Sequence, residues 1–165
     1  MNVALISLLF GAVLCTEVAG WACPPGWVPN GGHCYLFSTV KKSWYEATYE
    51  CARLGGALVS FNSPKELWWV KNHVKKLCNS KNYWFSGNDI RHEGIWSWNP
   101  NTGEINRDCR DWAHGEPNSW RGLEQDCALM WASRGYSWDD EQCHLPKEYI
   151  CERYMFSERV CSCRI

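Results

Sequence analysis

Three rhythms of apolar and polar positions divide the chain. Val3 to Leu14 is apolar apart from Ser7 and Gly11. That run is shorter than the roughly 20 residues needed to span a bilayer. Val18-Ala19-Gly20 then places small residues where a secretory leader is cut, so residues 1–20 read as a signal peptide. The second rhythm is helical. Ser43 and Glu46 form a capping box around Trp44, and Trp44, Ala47, Cys51 and Leu54 recur on one face until Gly55-Gly56 stops the helix. Ser63-Pro64-Lys65-Glu66 opens a second helix, with Ser63 as N-cap, Pro64 at the first helical position and Glu66 closing the box. Its apolar face is Leu67, Val70, Val74 and Leu77. Beyond Cys78 the helical period gives way to short aromatic and β-branched runs: Tyr83–Phe85, Ile95–Trp98, Cys127–Trp131 and Tyr149–Glu152. Helices followed by strands predict the α+β class. Asn99 to Leu123 is long, polar and rich in turn residues, the kind of loop that carries function.

Composition narrows the class. The chain carries 11 cysteines in 165 residues, a density typical of secreted domains stapled by disulfides. Cys15 would leave with the leader, and an even number would remain. Lys and Arg number 17 against 18 Asp and Glu, a near-balance that argues against a general nucleic-acid or anionic-membrane binder. No second apolar stretch of spanning length follows the leader, so the expected product is released to the extracellular space. Most of the 12 tryptophans should be core, Trp84, Trp96, Trp98 and Trp138 among them.

Taken in order, the landmarks resemble a C-type lectin-like domain over roughly Cys23 to Glu152. They are Cys23-Pro24-Pro25-Gly26-Trp27, Cys34-Tyr35, Cys51, Tyr83-Trp84-Phe85-Ser86-Gly87 and Gly94-Ile95-Trp96-Ser97-Trp98. Trp112 then precedes Gly115-Glu116-Pro117-Asn118, and Cys127, Trp138-Asp139-Asp140, Cys143 and Tyr149-Ile150-Cys151-Glu152 close the run. Each is weak alone, and the order and spacing make the combination strong. The resemblance implies two helices, two small antiparallel sheets and a long calcium- and sugar-binding loop in a domain over 21–154. Residues 155–165 form a cysteine-containing tail. It also implies the pairs Cys23–Cys34, Cys51–Cys151 and Cys127–Cys143, the first marking the long form with an N-terminal hairpin. Cys78, Cys109, Cys161 and Cys163 lie outside that framework. Cys78 and Cys109 could form a fourth bridge. Cys161 and Cys163 could link two copies into a homodimer, or bridge back to Cys78 or Cys109.

The resemblance further implies a Ca²⁺ site. Calcium takes six to eight oxygen ligands, so side chains must converge from several segments. Glu116, Asn118, Asp139 and Asp140 match the family's ligand set, and Pro117 its cis-proline. Glu-Pro-Asn is the mannose-type triplet, which accepts mannose, N-acetylglucosamine or glucose. Two positions depart from the pattern. Gln125 stands where the family usually has Glu, with Glu124 one step earlier, and Asp139 stands where it usually has Asn. If Gln125 takes the usual place, the charge at the ion is unchanged but one donor and one acceptor have exchanged places. If Glu124 reaches the ion instead, the site is more negative. The sugar type therefore stays open between mannose-like and galactose-like. Asp89, Glu93 and Asp126 match an auxiliary calcium site in which Ser119 replaces a carboxylate. Trp120, beside Asn118, is a candidate to stack on a sugar face.

The five histidines, His33, His73, His92, His114 and His144, show no zinc spacing and are expected on the surface. There is no nucleophile elbow and no His-Glu-x-x-His, which speaks against an enzyme. The first reading is a secreted, calcium-dependent carbohydrate-binding protein for glycan recognition or innate-immune agglutination, its weak single sites relying on multivalency. The alternative is a sugar-independent structural or protein-binding member of the family, such as a perlucin-like matrix protein.

Overall fold

The computed structural model describes residues 17–100, 103–119 and 122–161. Helix α1 (Trp44–Arg53) begins as its sequence dictates. Ser43 Oγ accepts from the Glu46 amide at 3.3 Å, and Glu46 Oε2 accepts from the Ser43 amide at 2.9 Å. Trp44, Ala47 and Cys51 are buried on its inner face. Helix α2 (Pro64–Lys76) starts with Ser63 accepting from the Glu66 amide at 3.2 Å. The box is not closed there, contrary to expectation. Glu66 accepts instead from the Asn62 amide at 2.9 Å and the Tyr35 hydroxyl at 2.6 Å. Tyr35 is 1% exposed, and a buried phenol needs an acceptor more than the solvated Ser43-type arrangement does. Leu67, Val70 and Val74 are buried as read, whereas Leu77 caps the helix and stays exposed.

Eight short strands form the main sheet, in the order β2 (Val28–Asn30), β3 (His33–Phe37), β9 (Glu148–Tyr154), β5 (Tyr83–Asn88), β7 (Cys127–Trp131) and β8 (Ser137–Glu141). Strand β4 (Ala57–Leu58) pairs with β9, and β6 (Ser97–Trp98) pairs with β5. Two antiparallel halves are thus joined by one short parallel pairing, Tyr83 with Glu148 and Trp84 with Tyr149. A separate ribbon pairs β1 (Glu17–Ala22) with β10 (Phe156–Cys161). Glu17 to Gly20 of β1 fall on the stretch read as the end of the leader, and Met1 to Thr16 lie outside the described residues. Ile95 and Trp96, read as strand, lie in the irregular segment just before β6.

The two core clusters take alternate residues of the same strands and so lie on opposite faces of the sheet. In the larger, fully buried Trp138 is the hub, its ring centroid 4.7–5.9 Å from those of Phe61, Phe85, Trp98 and Trp112. Trp84 and Trp96 are buried as expected, and Trp98 packs half-buried against the same cluster. The implied disulfides are all present: Cys23–Cys34, Cys51–Cys151 and Cys127–Cys143. Cys78 (exposed) and Cys109 (buried) are unpaired, so the suggested bridge between them is not formed. Cys161 ends β10, and Cys163 lies outside the described residues.

Two histidines are only partly exposed. His33 is half-buried with Nδ1 2.6 Å from Glu152 Oε1, and His73 stacks between Phe37 and Trp69. Aromatic neighbours on β3 and β9 for His33, and on β3 and α2 for His73, pack against part of each ring. Glu152, its carboxyl raised first by burial, also accepts from the Ser60 amide at 3.0 Å. This pins β9 against the strand-to-helix crossing.

The α1–β9 contact yields a stability prediction. A Cβ at Gly56 would run into the backbone carbonyl oxygen of Glu152, whereas one at Gly103 meets nothing within 4 Å. Gly56→Ala should cost about 1–3 kcal/mol or more, and Gly103→Ala should stay within about 0.5 kcal/mol of the parent. Urea unfolding of the two variants side by side checks this.

Candidate metal and sugar site

The long polar segment has little regular structure, so it must be held by individual contacts. One end is tied to β8: the Ala113 amide donates to the Trp138 carbonyl at 2.8 Å, and the Trp138 amide donates to the Asp111 carbonyl at 2.7 Å. The side chain of Asp111 pairs with Lys71 of α2. Ile105 and Cys109 anchor the segment's middle in the core. Beyond Ala113 the chain turns outward and reaches Glu116-Pro117-Asn118, where the Glu116–Pro117 peptide is cis, as the resemblance implied.

Asp140 is the fastening point. It is 1% exposed, and its carboxylate accepts from the amides of Asn118 (3.0 and 3.1 Å) and Ser119 (2.8 Å). Charge-assisted bonds of this kind are among the stronger ones a protein makes. They bring Asn118 beside Asp139, while Gln125 donates its amide to the Asp140 carbonyl at 3.0 Å. Glu116, Asp139 and Asp140 each offer a carboxylate oxygen, all within 4.8 Å of one another.

Electrostatics show how poorly balanced this cluster is on its own. Burial, followed by Glu116, Asp140 and Glu141, pushes the Asp139 carboxyl up to about 7. Glu116 is raised first by burial and then by Asp140, and its Oε2 is buried without a hydrogen-bond partner. Three carboxylates converging with an orphaned oxygen form a hard-oxygen donor set suited to a divalent cation such as calcium. The residues present therefore fit the ion the family implies.

The cluster opens into a groove of about 440 Å³. Glu116, Asn118, Gln125 and Asp139 line it, and Glu124 does not. Glu124 is exposed and acts instead on Asp126, whose carboxyl is raised by burial and then by Glu124. Of the two arrangements left open by sequence, the fold thus has Gln125 facing the cluster. Trp120 lies outside the described residues. The groove has walls that sequence reasoning did not single out: Trp131, with the Arg134 guanidinium 5.0 Å over its ring, and Glu141 with Gln142. The Gly135 turn between β7 and β8 was their only signal, because no motif marks them.

Asp89, Glu93 and Asp126 also converge, with carboxylate oxygens within 4.8 Å. Asp89 is buried, accepts from the Gly94 amide at 2.9 Å, and is pushed up to about 6, chiefly by burial. Ser119, the residue in place of a carboxylate, stands 3.4 Å from Glu93. It thus touches both acidic clusters, one through its amide and one through its hydroxyl.

Comparison with known proteins agrees with this geometry. The family model for the lectin C-type domain matches residues 40–153. A perlucin-like protein of Mytilus galloprovincialis is 32% identical over 131 residues, covering 78% of this chain and 81% of that protein. Among solved structures, the carbohydrate-recognition domain of the mouse scavenger receptor C-type lectin superposes with a TM-score of 0.72 at 28% identity. It covers 81% of this chain and 98% of its own. A calcium-independent type II antifreeze protein superposes with a TM-score of 0.69 at 27% identity, covering 84% of this chain and 99% of its own.

Removing the fastening carboxylate should release the loop. Asp140→Ala leaves the Asn118 and Ser119 amides without their acceptor and should cost about 1.5–3 kcal/mol. Hydrogen exchange at those two amides should accelerate well beyond that of β7. Unchanged exchange there would mean that something other than Asp140 holds the loop.

Proposed function

The chain belongs to the C-type lectin domain family, whose members are non-enzymatic binding proteins, and from that premise we propose that it is a secreted, calcium-dependent carbohydrate-binding protein. The observation that carries the reading is the convergence of Glu116, Asp139 and Asp140, with Asn118 and Gln125, on one open groove. Those five side chains would hold the ion. When bound, calcium supplies a Lewis-acidic contact for two neighbouring sugar hydroxyls.

The protein's own residues do the sorting. Asp140 orients Asn118 through its backbone amide, so the Asn118 side chain is presented from a loop fastened to β8. Glu116 supplies a carboxylate acceptor and Asn118 an amide donor, the mannose-type polarity. Asp139 places a second acceptor where an amide is usual, and Gln125 a donor where a carboxylate is usual. Mannose-type sugars are favoured by the Glu116/Asn118 pair, and this exchange relaxes the preference toward galactose. Asp89, Glu93 and Asp126 would hold an auxiliary calcium beside the loop.

Secretion is supported by the apolar leader and by three disulfides. No helix among the described residues is long and apolar enough to cross a membrane. Cys161 and Cys163 would join two copies, and multivalency would then raise weak single-site binding to useful avidity. Recognition or agglutination of glycans follows as the biological role. A second reading rests on the similarity to a perlucin-like protein and to an antifreeze protein described as calcium-independent. On that reading the domain is a sugar-independent structural or protein-binding module.

Retention of the protein on mannose-agarose in calcium, with release by EDTA, is the expected result. Galactose-agarose should retain it more weakly, and Glu116→Ala should flow through both columns. No retention of a correctly folded protein on either column would favour the second reading. Electrophoresis without reductant should show a dimer that Cys161→Ser/Cys163→Ser abolishes; monomer alone would remove the tail from the function.

A further inference from the structure

Helix α2 turns an unusual face to solvent. Trp68 is 68% exposed, a large aromatic with no core role. Lys65, Asn72, Lys75 and Lys76 fall on the same side, since positions three, four, seven and eleven apart share a helix face. Lys65, Lys75 and Lys76 are exposed and have no ion-pair partner among the described residues. At 1.5 Å per residue the stripe from Lys65 to Lys76 runs about 16 Å.

The helix's one carboxylate, Glu66, lines a groove beside Lys65 but is engaged by the Tyr35 hydroxyl and the Asn62 amide. Lys71, the remaining cation of the helix, is used up by Asp111. Two grooves, of about 350 and 520 Å³, flank Trp68. Asn72 lines the first, its side-chain nitrogen buried without a hydrogen-bond partner. Neither groove shares a residue with the Glu116–Asp140 groove.

We propose that this face of α2 is a second, calcium-independent binding site for a sulfated polysaccharide. Three unpaired ammonium groups along a straight stripe match a linear chain carrying regularly spaced sulfates. The Trp68 ring between them offers a flat apolar surface for the C–H face of a sugar ring. The length of the stripe suits a short run of sugar residues. Nucleic acid is disfavoured by the chain's overall balance, 17 basic against 18 acidic residues, and by the single exposed ring on this face. The site acts independently of the calcium reading, and its test is run without calcium so that either can fail alone.

The full chain is applied to heparin-agarose in EDTA at low salt. It should be retained and released as sodium chloride approaches physiological strength, where screening shortens to about 8 Å. Lys65→Gln/Lys75→Gln/Lys76→Gln should weaken binding roughly tenfold or more. Trp68→Ala should elute earlier than the parent, and Trp68→Tyr, which keeps a ring, should recover most of the difference. Fully desulfated heparin should not compete. All these residues are exposed or lie at the surface, so circular dichroism and thermal melting should match the parent. Flow-through of the parent overturns the proposal. So does retention that either the triple variant or Trp68→Ala leaves unchanged, or competition by a single-stranded oligonucleotide as strong as that by heparin.

Discussion

A carboxylate buried to 1% exposure must find donors, and Asp140 finds them in two backbone amides of a loop that has no other regular partner there. Everything at the site depends on this. Strand alternation sends Trp138 and Asp140 inward from β8, two residues apart on the same face. Trp138 locks β8 into the aromatic core, and Asp140 locks the loop onto β8. The intervening Asp139 is turned toward the groove. One short strand thus couples the packing of the domain to the position of its ligand-bearing loop.

The ligand set is arranged at an electrostatic cost, which is what a cation site requires. Glu116 and Asp139 are held where burial and mutual repulsion disfavour their charge. The structure tolerates this because the surrounding frame is covalently and sterically fixed. The Cys127–Cys143 bridge ties the start of β7 to the chain just beyond β8, and the Trp112–Trp138 contact closes the other side. Functional sites commonly store such local strain against a rigid scaffold.

Much of the fold was legible because local chemistry and global packing agree. The Ser43–Glu46 box, the Pro64 start and the cysteine framework each name a position without needing the rest of the molecule. Strand β8 was less visible: Ser137-Trp138-Asp139-Asp140-Glu141 is acidic, and Asp is depleted in strands. It pairs with β7 because Trp138 is worth more buried than the acids cost. Glu66 was misread for a related reason, since the buried Tyr35 hydroxyl competes for its carboxylate across 31 residues of sequence. The choice between Glu124 and Gln125 could not be made from spacing at all. It depends on how the loop enters β7, which the hydrogen bond from the Gln125 side-chain amide to the Asp140 carbonyl fixes.

The pairing of β3 with β9 has a topological consequence. Strand β3 lies near the start of the domain and β9 near its end, yet His33 sits opposite Tyr154. Entry and exit of the polypeptide are therefore neighbours, and the Cys51–Cys151 bond seals the interior between them. A fold whose two ends meet can be spliced into a longer chain, or strung in tandem, like a bead on a thread. The host chain need not stretch to span it, and the groove's geometry is set without reference to whatever lies on either side.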